Sequence, residues 1–395
     1  MPALLDFDFA ALRDALAQLD GGADGWLLFD FRGVNPIAAH VLGIRGMATR
    51  RYFVLLPREG KPVALAHAIE RQPFDGFPGE VQVYAAWREL HERLGALVRG
   101  KRVAMEISTQ DGVPYLDRVP HGVVELVEAL GGKVVSSAPL VTRFAARWSA
   151  AELAGHTRAA EALATIAPDA LRWAGAELAA GREVRETAVQ QRVLAGFERA
   201  GLVTDHPPIV GFQENAANPH YEPRAGSDRR LAPGEVLLLD LWAGPALGTV
   251  FADQTWMGFA GRVPPGDVAR VWAAVRDARD AAVQRLRERW RPGADVTGAE
   301  LDDAARGVIR AAGYGDAFVH RTGHSIDRDL HGSGPHLDNF ETADTRVLQP
   351  GIGFSVEPGV YLSGRFGVRS EINVYLDVAR PIVTPTAPQR DLLLV

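Results

Sequence analysis

Four carboxylates in this 395-residue chain stand where their neighbours predict buried backbone. Asp240 follows Val236-Leu237-Leu238-Leu239, and Asp253 lies within Val250-Phe251-Ala252-Asp253-Gln254-Thr255-Trp256. Glu357 ends Ile352-Gly353-Phe354-Ser355-Val356 and precedes Pro358-Gly359, while Glu371 sits in Val368-Arg369-Ser370-Glu371-Ile372-Asn373-Val374. A charged side chain on such a strand is costly to bury unless it is paired or bound to a cation. Any one of the four, alone, reads as an exposed or ion-paired acid; four in comparable contexts point to a shared site. Four of the 11 histidines crowd one glycine-rich stretch: His320, His324, His331 and His336. Alone that cluster reads as a solvated turn. Beside the acids it reads as metal ligation, because neutral imidazole and carboxylate together suit divalent ions. Four carboxylates and one histidine balance two such ions, and a pair of ions can hold a hydroxide and clamp both reacting oxygens. Thiol chemistry is excluded, since there is no cysteine. No nucleophile-elbow pattern supports a Ser-His-Asp triad.

Elements must carry these residues to one place. A turn near Gly244-Pro245 and Gly248 predicts a hairpin of strands over 235–243 and 248–259, with Asp240 and Asp253 side by side. Strands are also predicted over 352–357 and 366–378. In the latter, period two puts Arg369, Glu371 and Asn373 on one face, and Val368, Ile372 and Val374 on the other. Helical segments are predicted over 152–179, 184–200, 267–289 and 298–312, so the region from about 145 onward repeats a helix-helix-hairpin plan. Ser149-Ala150-Ala151-Glu152 has the capping-box form that opens the first of them. The preceding ~140 residues alternate strand runs (Trp26–Phe29, Tyr52–Leu56, Val103–Met105) with helices near Phe9–Leu19, Trp87–Val98 and Tyr115–Leu130. This is a mixed α/β layer domain with its own core.

Composition agrees with two folded domains: the length exceeds one typical domain, and 47% apolar with 23% charged residues excludes wholesale disorder. A net charge of −6 offers no general attraction to nucleic acid or an anionic membrane. No run of about 18 apolar residues spans a bilayer, and the acid-bearing first residues do not form a signal peptide. A cytoplasmic protein without nucleic-acid or membrane partners is the expectation.

The ordered set Asp240, Asp253, His324, Glu357, Glu371, each in its context, resembles the pita-bread metallopeptidases, within them the aminopeptidase P and prolidase branch with its creatinase-type relatives. The resemblance implies an α+β chain: a small mixed α/β creatinase-like domain over 1–144, then a pita-bread catalytic domain over 145–395 with pseudo-twofold halves. It further implies two divalent ions per subunit (Mn, Co or Zn). Asp240 would chelate one, His324 and Glu357 the other, with Asp253 and Glu371 bridging. Glu357 would also shuttle a proton from the attacking water to the leaving nitrogen. His331 resembles a family histidine that contacts the scissile region, His220 (in Asn218-Pro219-His220-Tyr221) matches the histidine of the family segment that begins here Ile209-Val210-Gly211-Phe212, and one or the other would stabilise the oxyanion. His206 aligns with a family tyrosine, His320 matches a substrate-site or supporting histidine, and Arg369 would orient carboxylates or receive the product carboxylate.

The chain departs from the pattern where Gly-His-Gly-Ile-Gly reads Gly323-His324-Ser325-Ile326-Asp327, where an acid commonly following the second histidine is Gly332, and where Ile372 follows Glu371 in place of an acid. The aspartate spacing is two residues longer than usual. None of these removes a ligand. The implied reaction is metal-dependent hydrolysis of the bond before proline in a small peptide with proline second, most simply by an Xaa-Pro dipeptidase acting as a homodimer. Aminopeptidase P is the neighbouring alternative, and a catalytically silent binding or scaffold domain is the alternative of another class. Such silent relatives typically lose ligands, and all five are present here.

Overall fold

The structure, a computed structural model, describes residues 4, 7–44, 48–291 and 293–395. The chain divides into two compact units, Met1–Ala145 and Ala146–Val395. In the first, strands β1 (Gly25–Asp30), β2 (Tyr52–Pro57), β3 (Val63–His67), β4 (Glu80–Tyr84), β5 (Arg102–Met105) and β6 (Lys133–Ser136) form one mixed sheet, ordered β4-β3-β2-β1-β5-β6. Every residue of β1 is buried, as expected of a central strand with both faces covered. Trp26 and Leu28 pack into one core and Leu27 and Phe29 into another, the period-two alternation expected of a strand. The predicted helix over Tyr115–Leu130 is shorter. Pro114–Leu116 is a single 3-10 turn and the helix runs His121–Ala129, with Pro120 at its N-cap. A residue before proline is steered out of the α region, so Val119 cannot join the two.

In the second unit β7 (Ile209–Phe212), β8 (Val236–Ala243) and β9 (Ala252–Phe259) pair antiparallel, and β16 (Leu393–Leu394) adds parallel to β9. A second sheet is ordered β10-β11-β14-β15, from β10 (Ser325–Ile326), β11 (Gly353–Val356), β14 (Ile372–Leu376) and β15 (Pro381–Thr384). Between them β12 (Gly359–Leu362) and β13 (Phe366–Arg369) form a separate hairpin. The long helices Ala150–Ala179, Glu186–Ala200, Gly266–Arg289 and Gly298–Ala311 carry the apolar stripes that cover these sheets. Ser149 caps the first: its Oγ accepts from Glu152 N at 3.2 Å while Glu152 accepts from Ser149 N at 2.7 Å. Among the described residues no helix is long and apolar enough to cross a membrane.

Two local details differ from the pattern read in the sequence. The hairpin pairs Asp240 with Thr255 and Trp242 with Asp253. The two aspartates therefore share a face as diagonal neighbours and do not stand directly opposite. The segment 366–378 is not one strand. It breaks at Ser370-Glu371, so β13 pairs with β12 while β14 pairs with β11 and β15.

Candidate metal centre

Alternation along the strands aims the acids inward. On β8, Leu237, Leu239 and Leu241 pack beneath the helices Ala150–Ala179 and Glu186–Ala200, so Asp240 faces the opposite way, with Thr255 and Asp253 of β9. In the second sheet Phe354, Val356, Ile372 and Val374 enter the core, as Val368 of the separate hairpin does; Ser355 and Asn373 alternate to the other face, with Glu357 just past β11, Arg369 at the end of β13 and Glu371 just before β14. His324 is delivered by the turn before β10. Gly323 is required there, since a Cβ on it would lie 2.0 Å from Ser355 O.

Ligand atoms of Asp253, His324 and Glu371 lie within 4.8 Å of one another, and all three residues are buried. His324 Nε2 stands 3.5 Å from Asp253 Oδ2 and 3.3 Å from Glu357 Oε1. Its Nδ1 lies 3.1 Å from Ser325 O; a carbonyl only accepts, so Nδ1 carries the proton and Nε2 presents its lone pair to the acids. Glu371 Oε1 is buried with no hydrogen-bond partner among the described residues. Burial pushes the Asp253 carboxyl up to about 7, against the lowering effect of the adjacent His324 ring and with the like charges of Asp240 and Glu357 adding to it. Glu371 is raised well above its ordinary value by burial and then by Asp253, Glu357 and Asp240. One imidazole and several crowded carboxylates, one with an orphaned oxygen, are a donor set that fits divalent cations.

Asp240 is braced from behind. Arg369 Nη2 donates to it at 2.5 Å, Thr255 Oγ1 lies 3.0 Å away, and the same hydroxyl is 2.9 Å from Glu371 Oε2. The remaining Arg369 donors go to Thr255 Oγ1 at 2.9 Å, to Pro219 O at 3.3 Å and to Tyr361 OH at 3.3 Å. The Arg369 side chain is buried, lines the cavity and spends most of its donors on these partners, Asp240 among them. His320 stands behind the cavity wall. Its Nδ1 donates to Arg321 O at 2.7 Å, and Tyr361 OH, 2.8 Å from Nε2, donates to the ring. Burial lowers His320 to about 4. Sequence patterns alone do not single out Tyr361; its one signal is a hydroxyl-bearing residue in the apolar run Val360-Tyr361-Leu362, four after Glu357.

A cavity of about 300 Å³ opens onto this cluster, walled by His206, Ile209, His220, Glu222, Trp242, Leu330 and His331 as well as the four acids and His324. His331 lies against His324, ring centroids 4.1 Å apart and planes tilted by 45°, and is pushed down to about 3 by His324, by burial and by Arg321. His206 lies over Trp242, with Nδ1 3.0 Å from Pro207 O and Nε2 3.4 Å from Glu222. His336 is elsewhere: its Nδ1 accepts from Ser325 N at 3.0 Å, and it supports the turn. The departures at 327 and 332 lie in contact with one another. Asp327 accepts from Asp329 N at 2.9 Å, Ser333 N at 2.8 Å and Ser333 Oγ at 2.9 Å. A Cβ on Gly332 would lie 2.7 Å from Asp327 Cγ.

Comparison with known proteins adds three kinds of likeness. A dipeptidase described as "Probable dipeptidase PepE" from Mycobacterium tuberculosis is 29% identical over 281 residues, 70% of this chain and 67% of that protein. An Xaa-Pro dipeptidase from Lactobacillus helveticus is 32% identical over 215 residues, 51% of this chain and 53% of that protein. Among crystal structures, dipeptidase PepE from Mycobacterium ulcerans superposes with a TM-score of 0.73 at 24% identity, covering 98% of this chain and 99% of the other. The X-Pro aminopeptidase from Thermotoga maritima gives 0.63 at 22%, covering 94% and 98%. These superpositions establish the shared pita-bread fold. Residues 155–377, which hold the four clustered acids and His324, match metallopeptidase family M24. The chain therefore belongs to metallopeptidase family M24.

Proposed function

We propose that this metallopeptidase is an Xaa-Pro dipeptidase working with two divalent ions held by Asp240, Asp253, His324, Glu357 and Glu371. The observation that carries the reading is the convergence of these five side chains on one cavity of about 300 Å³. Two bound cations would supply Lewis acidity and a water acidic enough to attack at neutral pH.

The chain's own groups do the rest. A bond before proline is a tertiary amide with no N–H, so the site must protonate the leaving nitrogen without relying on an amide contact. Glu357, held by Ser355 Oγ at 2.9 Å, takes the proton from the attacking water and passes it to that nitrogen. His331 and His220, on the cavity wall, donate to the oxyanion as it forms. Arg321 Nη2 lies 3.5 Å from His331 Nδ1, which leaves Nε2 as the proton-bearing atom of the neutral ring. Arg369 and Tyr361 hold Asp240 in place, and His206 lines the substrate side. Manganese, cobalt or zinc as the native metal and a homodimer are parts of the same reading that rest on the family resemblance.

The test is product analysis with Ala-Pro, Ala-Pro-Ala and Ala-Ala after reconstitution with each metal. Metal-dependent release of free proline from Ala-Pro, with little turnover of the other two, is expected. Preferred cleavage of Ala-Pro-Ala would make it an aminopeptidase P, and no cleavage of either proline peptide would end the proposal.

A further inference from the structure

Glu186 opens the helix Glu186–Ala200, is fully buried, and is far from the ligand set in sequence. Four different residues donate to its carboxylate. Oε1 accepts from Phe212 N at 2.7 Å and Asn215 Nδ2 at 3.0 Å; Oε2 accepts from Tyr221 OH at 2.7 Å, Arg229 N at 2.8 Å and Asn215 Nδ2 at 3.1 Å. Its own backbone N donates back to Arg229 O at 3.2 Å. One carboxylate thus ties the end of β7, the following 3-10 turn and both flanks of the 221–229 loop to a helix start.

That loop begins beside His220. Tyr221 N donates to Asn218 O at 3.1 Å and His220 N to Asn218 Oδ1 at 3.2 Å, closing a tight turn. Arg369 Nη1 holds the other side through Pro219 O at 3.3 Å. His220 therefore hangs between two anchors, the Arg369 brace of the ligand cluster and the Glu186 carboxylate. The ring itself is exposed on the cavity wall, so little besides this backbone geometry sets where it points.

We infer that Glu186 is a positioning residue, placing His220 for its part in the reaction; this rests on the His220 role given under Proposed function. Glutamine cannot replace it. The backbone donors Phe212 N and Arg229 N address opposite oxygens, so either orientation of an amide sets an NH2 against an N–H.

The experiment is a cycle of Glu186→Gln, His220→Ala and the double variant in the metal-loaded full-length enzyme, with bound metal measured by elemental analysis. Glu186→Gln is expected to lower kcat on the order of 10- to 100-fold, as for a misplaced reacting group, with KM and metal content nearly unchanged. The double variant should be no slower than His220→Ala alone. Losses that multiply, or a Glu186→Gln enzyme with full kcat, overturn the inference while leaving the proposed reaction standing. A His220→Ala enzyme as fast as the unaltered one removes the His220 role and this inference with it. Should Glu186→Gln fail to fold, Tyr221→Phe removes one donor next to His220. Roughly a 3- to 10-fold lower kcat, again not multiplying with His220→Ala, then supports the positioning role, and an unchanged or multiplying kcat overturns it.

Discussion

His324 concentrates the residue-scale chemistry. Its Nδ1 is spent on Ser325 O, its backbone N donates to Ser355 Oγ at 2.9 Å, and that hydroxyl donates to Glu357. One short relay thus sets the ring and Glu357, the acid proposed as proton shuttle, together. His324→Ala is expected to leave a folded protein with less bound metal and hydrolysis lowered by about 10³-fold or more, because the Lewis-acid contribution goes with the ion. Elemental analysis beside a steady-state assay checks it; activity above a few per cent in a metal-checked sample refutes the ligand role. Phenylalanine at 206 tests the tyrosine-aligned position. His206→Phe should change kcat or KM, and two unchanged constants would remove His206 from the substrate site.

The turn from His324 to Ser333 decides how His331 meets the ligands at the scale of elements. Its shape depends on Asp327 filling the volume beside Gly332, where a Cβ would stand 2.7 Å from the Asp327 carboxyl carbon. Gly332→Ala is therefore expected to destabilise the protein by roughly 1–3 kcal/mol, the usual cost of overpacking. In an Asp327→Gly background the same change should cost far less, because the opposing carboxyl is gone. Urea unfolding of the four proteins gives the coupling directly; additive costs would show that the two positions do not exchange volume.

Stability of the whole molecule should respond to pH through His156. This ring is buried in the helix Ala150–Ala179, with Nδ1 3.0 Å from Phe251 O and Nε2 2.9 Å from Thr384 Oγ1, and burial lowers it to about 4. The unfolded ring takes its proton near pH 6.5, so between there and about pH 4 the unfolded state binds more protons. Stability is full above pH 6.5 and falls as the pH drops through that window, by at most ~3 kcal/mol from this group. A flatter pH profile in a folded His156→Gln variant is the expected signature; an unchanged slope would assign the acid sensitivity elsewhere. Stripping divalent metal acts on the same scale. A ligand present at 100 to 1,000 times its Kd stabilises by about 2.7 to 4.1 kcal/mol, so chelation should lower the unfolding midpoint and readdition restore it. A midpoint indifferent to chelator would argue against ions bound in the folded protein.

What could be read along the chain was local in origin. An acid inside Val236–Leu241, a proline after Glu357 or a capping serine at 149 each announces itself through near neighbours, because strand alternation and helix capping act over a few residues. That is why the family-like ligand set and most elements were legible. The pairings that make a site of them were not. Thr255 joins Asp240 to Glu371 across 116 positions, and Asp253 N finds Asn373 Oδ1 across 120. Neither Tyr361 nor Glu186 has a local sign of its partners. The diagonal aspartate register, the break at Glu371 and the commitment of Arg369 likewise follow from how two sheets and a hairpin pack. Sequence determined which side chains are costly to bury; the tertiary structure decided which of them meet, because contacts between distant segments depend on packing that no local pattern encodes.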